Sequence, residues 1–180
     1  MMIARTALVL IALCGLLGGC GHSSSADLAH LDALWRDGDH EAACFEAQAV
    51  VRRIAEANGV DVAKLEARAR AIRERLSTDP IPPIDAHGFQ ENDRFTMRSD
   101  RLDSEIQAAL LHPDALVAIR AAITVGELKL VRHTKGLLVL ITRPGPIRLA
   151  RAYPSLESPL IAWLTTKQVA LESLRQLTAP

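Results

Sequence analysis

The chain has 180 residues, and its 21 lysines and arginines balance 21 aspartates and glutamates. This formal net charge of zero gives no electrostatic case for nucleic-acid binding, which normally needs a positive excess. Aromatic residues make up only 3% of the sequence and runs of β-branched residues are few, which argues against an all-β sandwich or barrel. We therefore predict an all-α globular protein.

The first 20 residues differ from the rest of the chain. Arg5 is their only charged residue, an apolar run extends from Thr6 to Leu17, and the sequence Leu17-Gly18-Gly19-Cys20 completes the segment. One positive charge, a short apolar core and small residues are typical of a secretory signal peptide. The run of 12 apolar residues is shorter than the roughly 20 residues that a membrane-spanning helix needs.

The sequence Leu17-Gly18-Gly19-Cys20 resembles the lipobox of bacterial lipoprotein precursors. The resemblance implies that residues 1–19 are a signal peptide cleaved before Cys20, and that acyl chains on Cys20 hold the protein on a membrane, facing the periplasm. Residues 20–26 are then a lipidated tether. Gly21 follows the cysteine in place of aspartate, which favours the outer membrane. The alternative is an ordinary signal peptide cut elsewhere, with Cys20 as an incidental thiol.

Periodic apolar residues predict three helices in an N-terminal helical hairpin region, residues 27–76. The first begins at Asp27 and ends at Gly38, the second extends from His40 to Ala57, and the third from Asp61 to Leu76. The pattern Leu34-x3-Gly38-Asp39-x2-Ala42-Ala43, before a long amphipathic helix, resembles a tetratricopeptide-type (TPR) hairpin. A local three-helix bundle fits the same pattern.

The third predicted helix is rich in arginine. Seven positive residues and four negative residues lie between Arg52 and Arg75. We expect Arg68, Arg73 and Arg75 to form a face that binds an acidic partner or anionic headgroups near the membrane. The alternative is a solvated helix face with ion pairs between residues four apart.

Residues 77–98 are predicted to form a proline-rich linker, because Asp79-Pro80-Ile81-Pro82-Pro83 interrupts the helical pattern. Two groups of residues are candidates for a chemical role, one in metal binding and one in acid–base catalysis. His40 and Cys44 lie four apart on one helix and offer two metal ligands, and the linker carries a possible acid–base cluster formed by Asp85, His87, Glu91 and Asp93. Neither group forms a recognised motif, so we predict no metal site, no cofactor and no enzymatic activity.

The remaining residues, 99–180, are predicted to form a second helical region. The segment Ala108–Gly126 contains a Pro-Asp turn between two apolar helices and resembles a HEAT repeat, and residues 160–177 resemble a poorer second copy. Residues 137–153 are compatible with a short β-hairpin around Arg143-Pro144-Gly145-Pro146.

The sequence therefore predicts an all-α protein of TPR-like and HEAT-like helical hairpins, anchored by lipid in the cell envelope. Helical-repeat lipoproteins of this size resemble pilotins, which implies a protein-binding scaffold or assembly factor for another envelope protein. An immunity or inhibitor lipoprotein that blocks a toxin or an envelope hydrolase is the alternative. The predicted partners are the membrane, through Cys20, and a second protein.

Overall fold

The structure is a computed structural model that describes residues 23–78, 99–145, 147–149, 153 and 155–179. In these ranges it contains seven α-helices and one short 3-10 helix at Val131–His133. The α-helices are α1 (Ser23–Arg36), α2 (His40–Ala57), α3 (Val62–Thr78), α4 (Ser99–Leu110), α5 (Ala115–Glu127), α6 (Thr134–Thr142) and α7 (Pro159–Thr178). The predicted all-α class is confirmed.

Helix α7 forms the centre of the fold. It packs against α2, α3, α5 and α6, and every residue from Leu164 to Leu171 is buried. A helix on a protein surface buries only one stripe of side chains, so this unbroken run means that α7 is covered on all sides. The run includes the polar residues Lys167 and Gln168.

The N-terminal and C-terminal helices share one hydrophobic core. The predicted stripe of α3 is buried at Leu65, Ala69 and Ile72, and these side chains belong to the same cluster as Ile119 of α5 and Leu138 of α6. Helices α2 and α3 both pack against α7. The two halves of the chain therefore stabilise each other through α7.

Local capping interactions determine several helix boundaries. Asp39 accepts a hydrogen bond from the Ala42 amide at 3.1 Å at the start of α2, and Asp114 accepts one from the Leu116 amide at 2.9 Å at the start of α5. Gly59 follows α2 with φ +68°, which favours glycine. These boundaries were predicted from the sequence, whereas α1 begins at Ser23, four residues before the predicted start.

The alternative of a β-hairpin at residues 137–153 is wrong over its first half, because residues 134–142 form helix α6. Leu137, Leu138 and Ile141 are fully buried, and α6 packs against α1 and α7. A short apolar run that is buried on most sides has no periodicity that distinguishes a strand from a helix. The described residues of the second half form only two isolated bridges, Asp114 with Arg148 and Tyr153 with Leu156.

The predicted helical repeats do not form an array. Helices α4 and α5 pack together across the predicted Pro-Asp turn, but residues 160–177, the second HEAT-like copy, lie in the single continuous helix α7. Within this helix the Thr166 hydroxyl donates to the Ala162 carbonyl at 2.8 Å. The fold is a bundle around α7, and the TPR-like and HEAT-like types are not confirmed.

Candidate functional site

The three arginines predicted to bind a partner contact other parts of the same chain. Arg68 pairs with Glu157 at 3.1 Å, and the guanidinium of Arg75 lies 5.7 Å from the centre of the Tyr153 ring. Arg73 is the least accessible, since its side chain is only 13% exposed. The predicted arginine face thus covers α7 and the segment before it, and its role toward a partner stays a prediction.

Arg73 belongs to a polar network between α3 and α7. Its guanidinium donates to Gln176 at 2.6 Å and lies 3.6 Å from the Glu172 carboxylate. Burial raises the pKa of Glu172, while Gln168 and Arg73 act in the opposite direction. The network joins α3 to α7.

Lys167 is fully buried in the middle of α7. Its ammonium donates to the backbone carbonyls of Leu140, Ile141 and Arg143 at 3.4, 2.6 and 2.7 Å, and lies 4.7 Å from the centre of the Trp163 ring. These carbonyls belong to the C-terminal end of α6, where the helix dipole is negative. Lys167 of α7 therefore caps the C-terminal end of α6.

Burial limits the reactions in which Lys167 could take part. Burial, with a smaller contribution from the charge of Arg143, lowers the pKa of Lys167 to about 7. A lysine with such a pKa is a candidate base or nucleophile, but this side chain has no exposed surface through which a substrate could reach it. We assign it a structural role. The sequence did carry a signal, because Lys167 is the only charged residue between Glu157 and Glu172.

The predicted metal ligands His40 and Cys44 have other contacts. The His40 ring stacks on Trp35 with 4.3 Å between the ring centres, and the half-buried Cys44 thiol forms a hydrogen bond with Thr178. Burial raises the pKa of this thiol, which disfavours the thiolate form that binds metal ions. Within the described ranges, no three histidine, cysteine or acidic side chains are grouped to hold a metal ion.

Among the large apolar side chains that the structure describes, Phe45 is the most exposed. Phe45 on α2 is 69% exposed, against 52% for Val131, 51% for Leu128 and 44% for Leu111. Acidic residues surround it in the sequence. We call the set of Asp37, Asp39, Glu41, Phe45 and Glu46, at the junction of the first two helices, the α1–α2 corner. This surface was not predicted from the sequence, although Phe45 lies outside the buried stripe of α2, which includes Ala43, Ala47 and Val50.

Contacts with α7 show which end of the bundle this corner occupies. Cys44 contacts Thr178 and Gln48 accepts a hydrogen bond from Arg175 at 2.7 Å, so α2 is antiparallel to α7 and its first turns border the end of α7. Lys129 donates to the Ala179 carbonyl at 2.8 Å. The exposed Leu128 therefore borders the same end of α7.

The start of α1 lies at the other end of α2. Asp27, in the second turn of α1, pairs with Arg53 at 2.6 Å. Arg53 is eight residues beyond Phe45, a distance of about 12 Å along a helix that rises about 1.5 Å per residue. Ser23 is one further turn away in the same direction. The α1–α2 corner thus faces away from the end at which the described chain begins.

Several predicted features lie outside the described residues. They are the signal peptide, Cys20, the remainder of the tether before Ser23, and the cluster of Asp85, His87, Glu91 and Asp93. Among the helices that are described, none is both long enough and apolar enough to cross a bilayer.

Comparison of the chain with protein-family models, with curated proteins and with solved structures found no match.

Proposed function

We propose that the protein is a lipid-anchored envelope protein that binds another envelope protein through the α1–α2 corner. The observation that carries this proposal is the exposure of Phe45, 69% of which is accessible, on a corner that faces away from the start of α1. Aromatic side chains are enriched at the centres of protein interfaces, where burying them contributes much of the binding free energy.

The lipobox supports the membrane part of this proposal. Because α1 begins at Ser23, only Gly21 and His22 separate it from Cys20. Cys20 and Ser23 are three Cα–Cα steps apart, which span about 11 Å at most. Lipidation of Cys20 would therefore hold the start of α1 against the membrane surface and direct the α1–α2 corner toward the periplasm.

The contacts of the predicted arginine face favour a role in stabilising the bundle. Arg73 lies in the interface between α3 and α7, and Arg68 is paired with Glu157. Charges already paired within the chain contribute little to a partner, because the partner must replace a contact that exists. We therefore place the principal docking contact at Phe45 and treat the arginines as part of the bundle.

The direct test is to identify what accompanies the protein in its own cells. Intact cells are treated with a mild crosslinker, and the chain is purified from detergent-solubilised envelopes by a C-terminal tag on a long Gly/Ser linker, since the end of α7 borders the corner. Mass spectrometry of the purified material should show one stoichiometric envelope protein. A secretion or outer-membrane component would indicate an assembly factor, and a toxin or hydrolase would indicate an inhibitor. A protein recovered without a partner would contradict the proposal.

A further inference from the structure

The sequence around Phe45 carries charge of one sign. Residues 37–51 contain four acidic residues and no lysine or arginine. Asp37, Asp39 and Glu41 are exposed and Glu46 is half-buried. Asp39 also caps α2, whereas Asp37, Glu41 and Glu46 form no ion pair within the part of the chain that the structure describes.

Cations that border the corner or the same end of α7 have partners of their own, and one of them, Lys129, donates to the Ala179 carbonyl at 2.8 Å. Arg36 precedes the corner, and its guanidinium pairs with Asp32 at 3.1 Å. Arg175 of α7 reaches α2 from its buried side, where it donates to Gln48 at 2.7 Å. Glu41 and Phe45, four residues apart, lie on one face of α2. A partner that covers Phe45 must therefore also approach negative charge.

The corner is held in a defined shape before any partner binds. Gly38 has φ +83°, and its amide donates to the Trp35 carbonyl at 3.2 Å, while the Asp39 amide donates to the Leu34 carbonyl at 3.0 Å. The stacked rings of Trp35 and His40 connect α1 to α2 across the turn. Less conformational freedom is lost when a partner binds a surface that is already ordered.

From these observations we propose that the α1–α2 corner binds a cationic segment of the partner protein, in which an apolar side chain contacts Phe45 and flanking lysines or arginines face Glu41 and Glu46. This inference rests on the proposed function and adds the chemistry of the partner. The same charge disfavours two other occupants. The corner would repel an anionic lipid surface. A second copy in the same membrane would place its own acidic corner residues against those of the first copy.

The test uses photocrosslinking in cells that produce the protein naturally. Phe45 is replaced by the photoreactive amino acid benzoylphenylalanine, and the crosslinked peptide of the partner is mapped by mass spectrometry. The same residue placed at Leu111 is the control, because Leu111 is also an exposed apolar residue but lies in the turn after α4. We expect the peptide captured from position 45 to carry a net positive charge and an apolar residue.

Charge reversal then tests the role of the acidic residues. Glu41→Lys with Glu46→Lys should lower the yield of that crosslink about tenfold, and exchanging the partner's mapped basic residues for glutamate should restore it. Glu56→Lys is the matched control, since Glu56 is exposed on the same helix at its other end and should leave the yield unchanged. Circular dichroism verifies that each variant is folded.

Failure of this inference differs from failure of the proposed function. A neutral or acidic peptide captured at position 45, or a crosslink that Glu41→Lys with Glu46→Lys leaves unchanged, would overturn the cationic segment while leaving a protein partner in place. A partner captured from position 111 alone would overturn the corner as its binding site. No crosslink from either position would overturn the proposed function as well.

Discussion

The ammonium of Lys167 donates to the Ile141 carbonyl oxygen at 2.6 Å, so a side chain from the middle of α7 terminates α6. The Trp163 indole and Lys167 share the next acceptor, the Arg143 carbonyl, at 3.1 and 2.7 Å. The guanidinium of Arg143 in turn donates to the His112 carbonyl at 3.1 Å, beyond the end of α4. The C-terminal ends of α4 and α6 are thus joined to the central helix through Arg143 and Lys167.

Replacing Lys167 should destabilise the fold. Lys167→Met keeps the length of the side chain but leaves buried carbonyls without their donor, and an unsatisfied buried group costs roughly 1–3 kcal/mol. We expect the free energy of unfolding, measured with urea, to fall by about that amount. Lys135→Met is the control, because Lys135 is exposed on α6 and its loss should change stability by less than about 0.5 kcal/mol. Equal stability of the two variants would contradict the capping role.

The same lysine should make stability depend on pH. The pKa of Lys167 is lowered from 10.5 to about 7 in the folded protein, so between these values the unfolded chain binds more protons. The free energy of unfolding should therefore increase as the pH rises above 7, by up to about 1.4 kcal/mol per pH unit.

Urea denaturation of wild type and Lys167→Met between about pH 7 and 8.5 measures this effect. The upper limit is chosen because burial raises the pKa of Cys44 above 9.0, which lowers stability once free thiols ionise. The wild-type protein should gain stability over the range, and the variant should lack that gain. Identical pH dependence in both proteins would assign the effect to other groups.

Gly126 marks the close approach of α5 to α7. A Cβ atom there would lie 2.3 Å from Gln176 Oε1 and 3.0 Å from the Cα of Ser173. Alanine normally stabilises a helix by up to about 1 kcal/mol relative to glycine, whereas overpacking costs about 1–3 kcal/mol. Because Ser173 Cα is backbone, we expect Gly126→Ala to lower the midpoint of thermal unfolding. An increase would show that the two helices separate easily.

Local signals in the sequence predicted α2, α3 and the turn between α4 and α5. Asp39, Asp114 and Gly59 act within a few residues of themselves, so their effects can be recognised without the tertiary structure. The core stripe of α3, Leu65-x3-Ala69-x2-Ile72, was equally evident.

The structural features that could not be predicted from the sequence depend on contacts between distant segments. Burial of α7 on all sides removes the one-sided pattern from which a helix is usually predicted, and Lys167 is tolerated there only because α6 ends beside it. The positive charge of α3 could be counted from the sequence. The contact between Arg73 and Glu172 could not be predicted, because the two residues lie far apart in the chain. Exposure of Phe45 could be inferred only from its position outside the apolar stripe of α2.

The lipid anchor gives a separate prediction. Cys20→Ser removes the thiol that the lipobox resemblance assigns to acylation, so the protein should leave the membrane fraction while its far-ultraviolet circular dichroism stays helical. Fractionation of cells expressing wild type and Cys20→Ser, followed by immunoblotting, measures this. A variant that stays with the membranes would show that the association does not depend on Cys20.

The measurement that tests the central claim most directly compares partner recovery from membranes with Phe45→Ser and with Leu111→Ser. Both changes remove an exposed apolar side chain, so neither should alter the unfolding midpoint or the attachment through Cys20. Truncating a central aromatic contact typically costs at least about 2 kcal/mol of binding free energy, so Phe45→Ser should lower recovery of the partner at least about tenfold. Leu111→Ser should leave recovery unchanged. Equal recovery with both variants would show that the protein does not bind its partner through the α1–α2 corner.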